Sequence, residues 1–153
     1  VNAAACEVIA ALQLAPLAHE GGYYRATWRN ATASAILFLV TPEDFSALHR
    51  LAQDEVWHFH AGDPVEHVQL DPRHGRLHRT RLGPDVTRGD SPQLVVPAGT
   101  WQAARLAEAR LGFALVGCTV SPPWDERGFE LGRREDLQAA FPDQAGIIRV
   151  FTR

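Results

Sequence analysis

The sequence predicts an all-β fold, one sandwich or barrel with two short helices at its margins. Three observations lead there. Short apolar or alternating runs recur along the chain, about eight to ten of them. Turn signals rich in Gly, Pro, Asn and Asp separate the runs at intervals of roughly 8–12 residues. The strand–helix–strand rhythm of a parallel sheet is missing. With 153 residues, 46% of them hydrophobic, the chain is long enough to bury a core as one domain.

Residues 3–13 read as an amphipathic helix, with Ala5, Val8, Ile9 and Leu12 at helical spacing. Gly21 and Gly22 then break structure before YYRATWR, an alternating strand. Its Tyr23, Arg25 and Thr27 face one way, and Tyr24, Ala26 and Trp28 the other. SAILFLV (34–40) is nearly continuous in apolar residues, so it should be buried on both faces. Thr41 and Pro42 suit a capped turn. Residues 45–64 follow and carry most of the chemistry. VEHVQL, a DPRHG turn and the polar RLHRTRL form a hairpin, and residues 82–93 are a Gly/Pro-rich loop. QLVVP and WQAARL are strands separated by AGT, and FALVGCTV is the last long apolar strand. Beyond the loop SPPWDERG and a short extended FEL, RREDLQAAF forms the second helix, with Leu137 and Phe141 inward and Pro142 ending it. GIIRVFT is expected to add an edge strand. The β-structure should occupy roughly residues 20–121, with the second helix and tail in 122–153 of one domain over 1–153.

Composition excludes several function classes. A net charge of -3 with scattered arginines leaves no footprint for nucleic acid. No apolar run approaches the roughly 20 residues of a membrane-spanning helix. The opening VNAAACEVIAALQLA lacks the basic flank and cleavage pattern of a signal peptide, so a cytoplasmic location is expected. Cys6 and Cys118 are too few for a disulfide framework and are not spaced as zinc ligands. Cys118, inside LVGCTV, reads as a small buried hydrophobe.

The stretch FSALHRLAQDEVWHFHAGDP (45–64) stands apart. Alternation places His49, Leu51, Gln53, Glu55, Trp57 and Phe59 on one face, and Val56, His58 and His60 on the other. The first set mixes bulky apolar groups with a base, an amide and a carboxylate. That mixture suits a ligand-holding interior, because an unpaired buried charge is costly in a plain core. Glu20, Tyr23 and Arg25 are candidates for the mouth of such a pocket. His58 is expected to be satisfied by a neighbour or to lie at a subunit interface. His60, His67, His74 and His78 read as ordinary strand or turn histidines, and His19 carries no signal.

Two spacings resemble the motifs of the cupin superfamily. His49-Arg50-Leu51, three residues, Glu55, six residues and Gly62 follow the first motif, with Leu51 where a second metal-binding His stands. Pro97-Ala98-Gly99-Thr100-Trp101-Gln102 follows the second, with Gln102 in place of its His. The segments HEGGYYRATWR, HRLAQDEVWHFHAGDP, VVPAGTWQAARL and GCTVSPPWDERGFEL are similar to a group of compact single-domain cupins, the fifth cupin family, formerly a domain of unknown function. The resemblance implies a cupin jelly-roll β-barrel with a central pocket, assembled as a homodimer, with two short peripheral helices in this chain.

The resemblance also implies where a metal would sit. The three-His, one-Glu set of metal-holding cupins maps onto His49, Leu51, Glu55 and Gln102. Two ligands and an amide are a poor set for a first-row ion, so no cofactor is expected. A divalent transition metal on His49, Glu55 and Gln102 is the alternative. Three readings stay open. One is a metal-independent pocket for a polar or carbohydrate-like ligand, with isomerase or epimerase chemistry by His49 and Glu55. Gln53, Gln102, Trp57, Phe59, Tyr23 and Arg25 would then bind the ligand. The second is a metal-dependent dioxygenase or isomerase. The third is a structural or interaction cupin with a vestigial pocket.

Overall fold

The computed structural model describes residues 1–153. Its strands form two antiparallel sheets packed face to face. In chain order the strands are β1 (Ala15–Pro16), β2 (Tyr23–Arg29), β3 (Ser34–Val40), β4 (Ser46–Leu51), β5 (Asp54–Gly62) and β6 (Val65–Leu70). They continue as β7 (Leu77–Leu82), β8 (Gln93–Val96), β9 (Trp101–Leu106), β10 (Ala114–Ser121) and β11 (Phe129–Leu131). The larger sheet runs β1-β2-β3-β10-β5-β8 and the smaller β11-β4-β9-β6-β7. The sheets stay separate in their hydrogen bonding, so the expected barrel is an open two-sheet arrangement, not a closed ring.

Alternation along each strand builds two cores. Between the sheets, Phe38, Trp57, Leu82, Ala104 and Val116 pack together. Phe38 meets Trp57 edge to face, with ring centroids 5.8 Å apart. On the far side of the smaller sheet, Leu48, Val68, Leu70, Trp101 and Ala103 pack against Leu137, Ile148 and Phe151. The smaller sheet is therefore covered on both faces.

Helix α1 spans Ala3–Leu12, close to expectation, with the Asn2 side chain accepting the Ala5 N–H as an N-cap. Helix α2 spans Arg134–Ala140. The expected edge strand at the C-terminus is instead a third helix, α3 (Ala145–Val150). Ile147 and Ile148 of α3 and Phe151, which caps it, recur at i, i+1 and i+4, a helical stripe that seats Ile148 and Phe151 on the smaller sheet. The protein thus has three short α-helices, one more than expected. None is long and apolar enough to cross a membrane.

The turn after β5 shows how a short motif pins the two sheets. Gly62 has φ 94°, and a Cβ there would collide with the Phe113 carbonyl. Buried Asp63 follows and accepts N–H bonds from Leu111 at 2.9 Å and Gly112 at 2.7 Å. Asp63→Ala would orphan both donors and is expected to cost about 2 kcal/mol, measured by urea unfolding. A loss below about 0.5 kcal/mol would show that the loop is held by other contacts.

Candidate functional site

Between the sheets, at the end away from the Leu82 side of the core, lies a cavity of about 400 Å³. From the larger sheet it receives Tyr24, Ala26 and Trp28 of β2, Ile36 and Phe38 of β3, and Cys118 of β10. Glu55 and Trp57 of β5 face His49 and Leu51 of β4 across it. The segment from Leu17 to Glu20 and the loop residues Trp124 and Phe129 complete the wall.

His49 is held firmly. Its Nδ1–H donates to the Ala47 carbonyl at 2.8 Å, and Phe129 stacks on the ring at a centroid distance of 5.6 Å. In the neutral ring this leaves Nε2 as the free acceptor. Glu20 Oε1 stands 3.8 Å from Nε2 and accepts the Ser46 hydroxyl at 2.7 Å. The hairpin that delivers Glu20 depends on Gly21, whose φ of 101° and crowding against the Phe45 carbonyl exclude a side chain.

Glu55 sits on the facing sheet in a different setting. Gln102 Nε2 donates to its Oε2 at 2.6 Å, and His67 Nε2–H donates to Gln102 Oε1 at 3.2 Å. The chain His67–Gln102–Glu55 is buried throughout. Burial pushes the Glu55 carboxyl above its ordinary range; the neighbouring His49 opposes this, and Glu20 adds to it. The Trp57 indole N–H is buried without a hydrogen-bond partner, yet lies near enough to Glu55 to favour its charged form. Burial lowers His67 to about 3, so it is a neutral imidazole whose Nδ1 has no partner. Burial also raises the Cys118 thiol well above its ordinary value, which makes it a poor nucleophile. The chain has no lysine, which removes Schiff-base chemistry from its own side chains.

The profile of the family described as "Cupin superfamily (DUF985)" matches residues 6–132. The chain belongs to the cupin superfamily. A structure of a hypothetical protein from Leishmania major is similar at 34% identity, TM-score 0.90, covering 97% of this chain and 98% of that one. A protein from Shewanella oneidensis is similar at 35% identity, TM-score 0.91, covering 97% of each chain. Oxalate decarboxylase from Bacillus subtilis shares the fold at 14% identity, TM-score 0.62, covering 92% of this cupin and 37% of that chain. No curated protein matches the sequence.

The two open sheets are thus the jelly-roll-like arrangement of a cupin. The metal set implied by the superfamily does not fit these residues. Leu51 offers only hydrocarbon to the cavity, and the Gln102 amide is already bonded at both ends, to Glu55 and to His67. Nor do three His, Cys, Asp or Glu side chains gather anywhere in a metal-holding arrangement.

The sequence-predicted residues divide as follows. His49, Glu55 and Trp57 meet in the cavity, and Gln102 touches it only through Glu55. Gln53 does not join them: it lies in the link between β4 and β5, where its Nε2 donates to the Pro123 carbonyl at 3.4 Å. The chain passes from one sheet to the other there, so the expected continuous face is split between facing sheets. Phe59 packs against the inter-sheet core instead of lining the cavity. Tyr23 and Arg25 lie on the far face of β2, while Tyr24, Ala26 and Trp28 line the wall. Parity identified both sets but not the covered one. His58 is satisfied by its neighbours: Gln93 donates to Nδ1 at 3.0 Å, and Nε2–H meets Thr119 Oγ1 at 3.3 Å. The pairing of β5 with β10 shifts register between Phe59 and Ala61, a bulge that leaves exposed His60 outside the cavity.

Sequence reasoning missed His67. It is fully buried and is a diagonal neighbour of Gln102 across β6 and β9, since His67 pairs with Ala104 and Gln69 with Gln102. Its inward parity with Val65 was the available signal. Trp124 and Phe129 were also missed, because they reach the wall from a loop and a three-residue strand.

Proposed function

We propose that this cupin binds one small molecule in the cavity and transfers a proton on it without a metal, in the manner of an isomerase or epimerase. One observation carries the reading: the anchored ring of His49 leaves Nε2 free opposite a carboxyl, Glu55, that burial favours in its acid form. His49 Nε2 takes a proton from a C–H beside a carbonyl, and that bond's electron pair moves into an enolate. Glu55 donates its proton to the enolate oxygen. Glu20, steadied by Ser46, stabilises the imidazolium. His49 then gives its proton to the neighbouring carbon, or to the opposite face of the same carbon once the enol has turned over, while Glu55 recovers a proton from the enol oxygen that becomes the carbonyl, which restores the enzyme. The reading assumes a cytoplasmic homodimer with no resident metal.

Incubating the protein in D₂O with sugars, small hydroxy acids and amino-ketones tests it, with deuterium entry at the activated carbon followed by NMR. A ligand at 100 times its Kd should also stabilise the fold by about 2.7 kcal/mol. His49→Ala is expected to abolish exchange, and both His49→Ala and Glu55→Gln to remove the ligand-induced stabilisation. If both variants respond like the parent, the cavity is not where the ligand binds.

A further inference from the structure

Most acidic side chains with an ionic partner in this protein pair with arginine. Glu66 takes Arg79 and Arg105, Asp90 takes Arg81, and Glu130 takes Arg50. The cavity breaks the pattern. Glu20 is mostly buried and its one ionic contact is the His49 ring at 3.8 Å, with no arginine beside it; Glu55, which burial favours in its acid form, needs no cation. Arg29 is the one arginine on the wall, and its Nη1 already donates to the Trp124 carbonyl at 2.7 Å. A carboxylate out of water without a fixed cation is costly, so the missing counter-charge points to a ligand.

The rest of the wall limits that ligand further. Of the 21 lining residues 14 are hydrophobic, a wall suited to a ligand with an apolar body and one polar head. Phe38, Trp57 and Phe129 surround the deep part, while Trp28 at 50% exposure and Trp124 at 40% form an aromatic rim. The anchored His49 Nε2 and the Glu20 carboxylate offer acceptors, so the ligand must bring the donors. Aromatic faces beside a carboxylate favour a cation.

We infer that the cavity selects an amphipathic amine, its ammonium head on Glu20 next to His49 and its apolar body against the aromatic wall. This rests on the reading of the cavity as the ligand site and narrows its ligand from polar molecules in general to amines. The ammonium's N–H groups bond to the Glu20 carboxylate and leave His49 Nε2 free for its proton transfer. A carboxylate or phosphate in the same place would sit against Glu20, like charge to like charge, while Arg29 is tied to the Trp124 carbonyl.

Four probes of similar size separate the choices: benzylamine, benzyl alcohol, benzoate and methyl glucoside, each titrated at pH 7. The reporter is the Trp57 indole N–H resonance in ¹⁵N-labelled protein. Benzylamine is expected to shift that resonance and to bind at least about tenfold more tightly than the other three. Glu20→Gln, which keeps an oxygen for Ser46, is expected to reduce that preference to about twofold or less. Equal or tighter binding of benzoate, benzyl alcohol or the glucoside at Trp57 overturns the amine and leaves the cavity reading intact. If none of the four moves the resonance at millimolar concentration, both readings fall. The comparison of benzylamine with benzyl alcohol in the unaltered protein decides the matter even if the variant does not fold.

Discussion

Acidification is expected to weaken this fold, and His67 is expected to account for much of the loss. The imidazole is buried and titrates at about 3 in the folded state, against 6.5 for its ordinary value. The unfolded chain therefore binds a proton below pH 6.5 that the folded chain refuses. Stability is intact above 6.5 and falls as the pH drops towards 3, by about 1.4 kcal/mol per pH unit from this group. Over the window the loss is on the order of 4 kcal/mol. Glu55 acts in the opposite sense. Its folded value is raised above the ordinary 4.5, so its contribution is whole below 4.5 and is lost as the pH rises through the folded value. The two partly cancel between 4.5 and 6.5, and the raw pH profile will hide each of them. His67→Gln, which keeps an N–H for Gln102, isolates the first. The difference in unfolding free energy between parent and variant should shrink steadily below pH 6.5; a constant difference would show that the ring is not buried neutral.

Gln102→Leu is expected to destabilise the protein by roughly 3–5 kcal/mol, because it strands two buried groups at once. Glu55 loses the only side chain that donates to it within hydrogen-bond distance, and His67 Nε2–H loses its acceptor. Adding Glu55→Leu to Gln102→Leu should recover part of the loss, since the second change removes the unpaired carboxyl itself. Urea unfolding of the two single variants and the double variant gives the coupling directly. Additive losses would mean that the amide and the carboxyl do not share a bond. A glutamine bonded at both ends, to Glu55 and to His67, acts as a structural tie between the two sheets.

Much of the candidate site was visible before folding was considered. His49 and Glu55 stood out because a base and a carboxylate recurred at even spacing among bulky apolar residues. The partners that give them their properties were less visible. Glu20 lies 29 residues before His49 and reaches it through a glycine hairpin. His67 looked like any polar residue in an alternating strand, yet it occupies one of the most buried places in the protein. The C-terminal segment is helical although its Gly, Ile, Val and Phe carry strand propensity, because only a helix seats its apolar stripe on the smaller sheet.

Alternation, turn residues and the two spaced motifs were enough to establish a β fold, its strand order along the chain and the superfamily. Those are local properties, set by which side chains fall two residues apart and where glycine or proline ends a run. Which face of each strand is covered, and which distant residue it meets, was decided only when two sheets closed on each other. Tyr24 is in the wall and Tyr23 is not, because a period of two defines a pair of faces and packing alone chooses between them. The same closure took His67, Gln102 and Glu55, separated by 35 and 47 residues, out of water and left them to satisfy one another.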